Sequence, residues 1–336
     1  MKQLKFFVLL LPLVLAAVGC SQDADTVLGN AGTETKSIHI ALNTETRAGT
    51  GEFDQSKLRP DLHQQVNSVT VYIFDEEGRY VDEEKVDWSD METKKTVEKN
   101  CVLGKLEKDK TYQLLGVGMD KNAASRFRID VSQGLEACEA QLSQSGKVDE
   151  IGKCQIFAGT LTYPNPEGEN VLDMYRRMAG VAFYISNEGL PDGTAYFRIL
   201  LPSGQNTAVL LKKKDAADYG SGPSQGTGGN ILVDSEYDSG EEYQNPYAYV
   251  LPFQGQASQD VTTLTLQVLD SEKKVLKSYD VLLGDERHYD LLANHLYMLG
   301  TSDNPVELPA DSGNDLIITD WIDTEEEILD YTNDFK

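Results

Sequence analysis

The sequence Ser-Ile-His-Ile-Ala-Leu-Asn-Thr-Glu-Thr-Arg, residues 37–47, contains the pattern on which our prediction of the fold depends. Ile38, Ile40 and Leu42 alternate with more polar residues, which is the period of two that is typical of a half-buried β-strand. The segment ends at the basic residue Arg47, and a run of small residues follows it. We therefore expect either a plain edge strand or a strand that is removed when the chain is processed.

The N-terminus has the features of an exported lipoprotein. An apolar run over residues 6–18 has the length of a signal-peptide core and is too short to span a bilayer as a stable helix. It leads into Ala17-Val18-Gly19-Cys20, which is typical of a lipobox. We predict a signal peptide at residues 1–20, lipidation of Cys20, including palmitate, and a flexible tether at residues 21–36. Several acyl chains on one residue would anchor the protein stably to the outer membrane. An ordinary secretory signal with a coincidental cysteine is the alternative.

Charge and cysteine content narrow the class of protein. The formal net charge of −25 excludes nucleic acid and anionic lipid surfaces as sensible partners, because both would repel the chain. It suits a protein that works outside the cell. Besides Cys20, the chain has Cys101, Cys138 and Cys154. A disulfide between Cys138 and Cys154 and three buried thiols both remain open in an oxidising compartment.

No catalytic or metal-binding pattern stands out. The histidines lack the spacing of paired metal ligands; they are His39, His63, His288 and His295. The glycine-rich residues 220–229 do not end in the Lys-Ser/Thr of a phosphate-binding loop, and no G-x-S-x-G segment is present. We predict a protein that is not an enzyme and has no cofactor or metal, although a pair of catalytic carboxylates would leave no trace in sequence.

Most of the chain reads as short strands. Residues 66–74 and 80–81 form a predicted hairpin around the turn at 75–78. Further strands are predicted at 96–103, 111–117, 155–163, 176–185, 195–201, 207–211, 247–252, 261–269, 275–283, 291–299 and 316–322. One helix is predicted at 132–144, with Ser132 as its N-cap. Many short strands with little helix favour an all-β fold of sandwich type.

A proline- and glycine-containing turn at residues 164–168 is the clearest boundary in the chain. We therefore predict two β-sandwich domains in tandem, at residues 37–166 and 167–336, with the short helix in the first.

In order and spacing, these segments resemble the fimbrillin family of lipoprotein-derived bacterial fimbriae. The resemblance extends over nearly the whole chain. It rests on the lipobox, on the strand that ends at Arg47-Ala48, and on four further segments. These segments are Val-Thr-Val-Tyr-Ile-Phe at 69–74, Arg-Arg-Met-Ala-Gly-Val-Ala-Phe at 176–183, Asn-His-Leu-Tyr-Met-Leu-Gly at 294–300 and Ile-Ile-Thr-Asp-Trp at 317–321.

The resemblance implies two transthyretin-like β-sandwich domains and an assembly route that uses strand exchange. An Arg-specific protease would cut between Arg47 and Ala48, and the N-terminal strand would leave with its apolar plugs Ile38, Ile40 and Leu42. A terminal strand from another fimbrial subunit would fill the groove, because an emptied groove exposes backbone donors and acceptors. The candidate residues of this chain's own donor strand are Leu316, Ile317, Ile318, Trp321 and Ile322.

The role within a fimbrium remains open between stalk, anchor and tip. An acidic extension follows Trp321, and it departs from the family pattern. No cysteine-proline segment follows the tether, and this favours a stalk or accessory subunit over an anchor. A surface glycan-binding lipoprotein is the alternative from another class, because the chain contains 16 tyrosines.

Overall fold

The structure is a computed structural model of the chain. It describes residues 36–43, 66–88, 98–107, 109–143, 151–201, 208–212, 230–252, 264–283, 293–294, 296–301, 303–310 and 316–318. Residues 36–336 cluster as one compact unit. The two-domain division at residue 166 therefore stays a prediction. No helix in the described ranges is long and apolar enough to cross a membrane.

The fold is all-β, as the sequence predicted. The strands of the first half are β1 (Ser37–Asn43), β2 (Ser68–Phe74), β3 (Tyr80–Val86), β4 (Glu98–Val102), β5 (Tyr112–Met119), β6 (Phe127–Asp130), β7 (Glu139–Leu142) and β8 (Ile156–Tyr163). The later strands are β9 (Val171–Arg176), β10 (Ala179–Phe183), β11 (Ile185–Ser186), β12 (Tyr196–Leu201), β13 (Ala208–Leu210), β14 (Asn230–Glu236), β15 (Tyr243–Gln244), β16 (Tyr247–Val250), β17 (Leu264–Leu269), β18 (Val275–Leu283), β19 (Leu296–Leu299) and β20 (Leu316–Ile318).

A seven-stranded sheet organises the first half of the chain, in the order β3-β2-β5-β8-β9-β1-β4. The predicted hairpin is its β2–β3 pair. Its turn is held by the Asp75 carboxylate, which accepts hydrogen bonds from the backbone N–H groups of Glu77 and Arg79 at 3.1 and 2.8 Å. Gly78 completes the turn at φ +79°, a conformation that glycine adopts at little cost.

The centre of this sheet is buried on both faces. On β5, Leu114 belongs to a core cluster that also contains the apolar side chains of β1. The next residue, Leu115, belongs to a larger cluster that includes residues from the second half of the chain, such as Phe197 and Leu232. Successive side chains of a strand point to opposite faces, so one strand serves both clusters.

The second half contributes smaller sheets. A five-stranded sheet has the order β14-β12-β17-β18-β20, and a three-stranded sheet has the order β16-β10-β19. A further three-stranded sheet, β13-β7-β6, joins the two halves, because β13 pairs with β7 through Leu210 and Glu139. Within the second half, the buried guanidinium of Arg177 holds β13 in place by donating two hydrogen bonds to the Leu210 carbonyl, at 3.1 and 2.9 Å.

The predicted helix at 132–144 is wrong. Gly134 adopts φ +83°, a 3₁₀ turn covers Leu135–Ala137, and Glu139–Leu142 is strand β7. Cys138 and Ala140 are both fully buried, so the real period of burial is two. Pairing with β6 and β13 overrides the weak helical periodicity of this segment.

The short α-helix of the first half, α1, lies instead at Lys121–Arg126, and Asp120 caps its N-terminus. The structure also answers the question about the cysteines. Cys101, Cys138 and Cys154 are buried thiols and not disulfide partners. Burial raises the pKa of Cys138 to about 12, so this thiol is unreactive at neutral pH.

Candidate functional site

The strand singled out by the sequence, β1, lies inside the seven-stranded sheet. It pairs in parallel with β9, where His39 is opposite Val171, and antiparallel with β4, where His39 is opposite Asn100. Its interpretation as an edge strand is therefore wrong, because β1 is bonded on both sides, and β4 is the edge of the sheet in the part of the chain that the structure describes. A single sequence reveals a strand's alternation, but it does not reveal how many neighbours the strand has.

The residue that precedes the strand, Lys36, is hydrogen-bonded to the body of the fold. The Lys36 carbonyl accepts a hydrogen bond of 2.8 Å from the Leu103 N–H group, and the Lys36 side chain donates to the carbonyl of Glu107. Three residues along, the His39 N–H group donates to the Asn170 carbonyl at 2.8 Å. The backbone of β1 is thus bonded from its start.

The inner face of β1 is fully apolar. Ile38, Ile40 and Leu42 are 1%, 0% and 6% exposed, and they belong to the core cluster that also contains Leu172 and Met174 of β9. Burying one such side chain is worth roughly 1.5–3 kcal/mol, so the three together contribute on the order of 5–9 kcal/mol as an upper estimate. A typical domain has a net stability of about 5–15 kcal/mol, so the fold depends heavily on this strand.

The outer face of β1 is polar and contributes little to the stability of the fold. His39 Nδ1 lies 2.9 Å from Asn100 Oδ1, and its Nε2 lies 3.6 Å from a carboxylate oxygen of Glu98. Loss of hydration raises the pKa of Asp173 on β9, an effect that His39 opposes and Glu98 enhances. Exposed pairs of this kind are worth about 0–1 kcal/mol, so the apolar face holds the strand in the sheet.

The candidate donor strand is attached to the chain's own fold. Leu316, Ile317 and Ile318 form β20, which pairs in parallel with β18 through Val281, Leu282 and Leu283. The Leu316 side chain is 4% exposed and belongs to the larger core cluster. This segment fills a place in the five-stranded sheet of the same chain.

The remaining predicted site residues, Cys20, Arg47, Ala48, Trp321 and Ile322, lie outside the described residues. Within the described ranges, no group of three or more His, Cys, Asp or Glu side chains is arranged to hold a metal ion.

A family model matches the sequence over residues 56–326. Its description is "Fimbrillin-A associated anchor proteins Mfa1 and Mfa2". The chain belongs to this family. Membership confirms the resemblance to fimbrial proteins and supports a role in cell-surface fimbriae. The anchor alternative fits the description of this family.

Solved structures of low sequence identity are also similar to this chain. One is the fimbrial anchor protein Mfa2 from Porphyromonas gingivalis, with 14% identity, a TM-score of 0.39, and coverage of 73% of this chain and 82% of that one. A candidate adhesin from Bacteroides ovatus has 13% identity, a TM-score of 0.44 and coverage of 73% and 77%. A candidate cell adhesion protein from Parabacteroides distasonis has 10% identity, a TM-score of 0.46 and coverage of 85% and 91%. No curated protein sequence matches the chain.

Sequence reasoning did not identify either neighbour of β1. β4 was predicted as a strand, but nothing in residues 98–102 indicates that it lies beside β1. β9 was not predicted at all, because Val171–Arg176 follows directly on the turn taken as a domain boundary. The alternation of Leu172 and Met174 with Asp173 and Tyr175 is the sequence signal that would have found it, and both apolar side chains are buried.

Proposed function

We propose that this chain is the anchor subunit of a surface fimbrium, held in the outer membrane by lipid on Cys20. The position of β1 is the observation that carries the proposal. The proposed tether precedes β1 directly in the sequence, and β1 is bonded on both sides, to β4 and to β9. The family description supports a structural anchor and not an enzyme.

The geometry suits an anchor because two ladders of hydrogen bonds together resist a force that pulls on the tether. Force applied at Lys36 is resisted by the ladder with β4 from Ser37 onward and by the ladder with β9 from His39 onward. It also acts against the withdrawal of Ile38, Ile40 and Leu42 from the core, where they are almost completely buried. A terminal strand at the sheet edge would have a single ladder to resist the same pull.

Anchoring argues against removal of the strand in the mature protein. A cut between Arg47 and Ala48 would break the covalent link between Cys20 and every strand after β1. We therefore expect an anchor to keep residues 37–47, and we expect its mature N-terminus to be Cys20.

The experiment replaces the lipidated residue. In cells that assemble the fimbria, Cys20→Ser protein is expected to leave the membrane fraction and appear in the medium with attached fibres, as measured by immunoblotting. Cys101→Ala is the matched control, because it removes a buried thiol and leaves the lipobox intact. Retention of Cys20→Ser in the membrane at the level of the wild type would refute the anchor proposal.

A strand-exchange subunit is the second candidate, and the burial of the β1 plugs favours it. Removal of β1 would leave a groove between β4 and β9 that is lined by apolar side chains and unpaired backbone groups, which is a site for another subunit's strand. The strand-exchange candidate predicts that an Arg-specific protease converts the monomer into polymers, which appear as a series of SDS-resistant bands on a gel.

The Arg47→Ala variant decides between the two candidates. A strand-exchange subunit requires the cut, so the variant would fail to polymerise after protease treatment. For an anchor, Arg47→Ala leaves membrane attachment and fibre retention unchanged. Mass spectrometry of the N-terminal peptide of the mature protein, beginning at residue 20 or at residue 48, gives an independent reading.

A further inference from the structure

The turn that leads into β12 contains the pair Asp192-Gly193, which is the single Asp-Gly sequence in the chain. Gly193 has a φ of +83°. The N–H group and the hydroxyl group of Thr194 both donate to the Pro191 carbonyl, at 3.2 and 2.7 Å. A hydrogen bond from the fourth residue to the first and a positive φ at the third residue are the features of a type II turn, which favours glycine at the third position.

This turn is tied to the sheet on its C-terminal side, but its middle peptide group is not held. The Ala195 N–H group donates to the Leu269 carbonyl at 2.8 Å, and the Ala195 carbonyl accepts from the Tyr237 N–H group at 2.9 Å. In the part of the chain that the structure describes, the Asp192 carboxylate and the Gly193 N–H group have no hydrogen-bond or ion-pair partner. Neither group therefore has a bond to give up before it reacts.

The Asp-Gly pair is also accessible. Both residues are exposed, and no heavy atom beyond the neighbouring residues lies within 4 Å of the place that a Cβ would take on Gly193. Glycine has no side chain to shield its own backbone nitrogen. The residue that the turn geometry favours thus leaves the nitrogen next to Asp192 unhindered.

These conditions favour an intramolecular reaction between the two residues. The Gly193 nitrogen attacks Asp192 Cγ and forms a bond to it, while the carboxyl OH and the amide hydrogen leave together as water. Water then opens the five-membered succinimide ring. Attack at Cγ restores aspartate, whereas attack at the Asp192 backbone carbonyl carbon breaks its bond to the nitrogen and yields isoaspartate. The only co-reactant is water.

Asp270 shows the opposite arrangement in another turn. Its Oδ1 atom accepts hydrogen bonds from the N–H groups of Glu272 and Lys274, both at 2.9 Å, and its backbone carbonyl accepts from the Lys273 N–H group at 3.0 Å. One hydrogen bond shifts a local equilibrium by a factor of about five. The carboxylate of Asp270 must give up these bonds before it can react, unlike that of Asp192.

We propose that Asp192 is a site of spontaneous isomerisation, at which the folded protein slowly converts aspartate into isoaspartate. The product carries the chain through the former side chain, so the backbone of the turn between β11 and β12 becomes longer by one carbon atom. One carboxylate remains, and the net charge does not change. This inference is independent of the proposed anchor role.

The test is isotope labelling of the full-length chain in detergent micelles at mildly acidic pH. Hydrolysis of the succinimide in water that contains oxygen-18 places one heavy oxygen atom in the product. Mass spectrometry of the peptide that contains residue 192 measures the rate of labelling, and electron-transfer fragmentation distinguishes isoaspartate from aspartate. We expect label and isoaspartate to accumulate at residue 192.

Two variants serve as controls. Asp192→Glu keeps the charge but would need a six-membered ring, which forms far more slowly, so its peptide should stay unlabelled. Ser271→Gly creates a second Asp-Gly pair, in which the carboxylate of Asp270 is held by its hydrogen bonds. In that variant, Asp192 should be labelled at least about fivefold faster than Asp270, which is the factor for one hydrogen bond.

The same chain unfolded in urea gives a reference that needs no variant. Because the turn leaves the reacting groups free, labelling of Asp192 in the folded protein should be less than about fivefold slower than in urea. Protection by the fold of about fivefold or more would overturn the proposal. The absence of isoaspartate at residue 192, or a difference between Asp192 and Asp270 in Ser271→Gly of less than about fivefold, would overturn it as well.

Discussion

At the scale of single residues, Gly159 sets the spacing between two central strands. A Cβ added there would lie 1.8 Å from the Asp173 carbonyl oxygen, which belongs to the backbone and cannot turn away. We expect Gly159→Ala to destabilise the protein by at least ~3 kcal/mol, the upper end of the usual cost of overpacking. Urea denaturation measures this.

Gly168→Ala is the matched control, because nothing lies within 4 Å of a Cβ at that position. It should change the free energy of unfolding by less than about 0.5 kcal/mol. Comparable decreases of the free energy of unfolding in the two variants would show that β8 and β9 are not in close contact at Gly159.

Asp120 is a buried carboxylate that holds three segments together. Its Oδ1 accepts hydrogen bonds from the N–H groups of Ala123 and Gln155, at 2.7 and 3.1 Å. Asp120→Ala removes a helix cap worth about 1 kcal/mol. It also leaves a buried N–H group without an acceptor, at a cost of about 1–3 kcal/mol. We expect a total loss of about 2–4 kcal/mol in thermal or urea unfolding, whereas Asp120→Asn, which keeps an acceptor, should lose less than half of it.

The same carboxylate gives a pH dependence. Burial raises the pKa of Asp120 above its ordinary value of 3.8, and its hydrogen bonds only partly oppose this shift. The folded state therefore holds the proton to higher pH than the unfolded state does. The contribution of Asp120 to stability falls as pH rises from about 4 through the folded pKa and is constant above it.

Asp120→Asn does not titrate, so the stability of this variant relative to the wild type should improve as pH rises from 3 to 7. Urea unfolding at several pH values measures the difference. A constant difference between the two proteins would contradict the raised pKa.

At the scale of elements, β1 shows what alternation can predict. Ile38, Ile40 and Leu42 were predicted to face inward, and all three are buried. Ile40→Ala should cost about 2–5 kcal/mol, as other large-to-small substitutions in cores do. His39→Ala, on the polar outer face, should cost less than about 1 kcal/mol, since exposed pairs contribute little. Similar losses for the two variants would mean that β1 is not held by its inner face.

The helix at 132–144 shows where the same reasoning fails. Leu135, Cys138 and Leu142 have helical spacing, yet Cys138 and Ala140 are buried on a strand. The deciding interaction is pairing with β13, which comes from much later in the chain. No local window contains that information.

At the scale of the whole molecule, the all-β class and most strands were predictable, because each strand carries its own alternation and turn signals. The sheet order was not predictable, because it depends on contacts between distant segments, such as β1 with β9 and β7 with β13. The family resemblance was likewise visible in the order of motifs.

The double pairing of β1 predicts the behaviour of a clipped molecule. If the chain is cut after Arg47 in vitro, residues 37–43 should remain bound to the body, because both ladders and the buried side chains are still present. Gel filtration under native conditions should recover the N-terminal fragment with the remainder, and urea should separate them. Early loss of the fragment in buffer would show that the strand is weakly held.

The position of β1 also constrains the order in which the chain folds. β1 is synthesised first among the strands, yet its partners end at Val102 and Arg176. Until Arg176 has emerged, β1 has at most one neighbour, and the apolar side chains of Ile38, Ile40 and Leu42 have no complete core to enter. Contacts so distant in sequence form slowly. The apolar face of β1 therefore stays exposed until Arg176 has been synthesised, and the fold closes around this strand late.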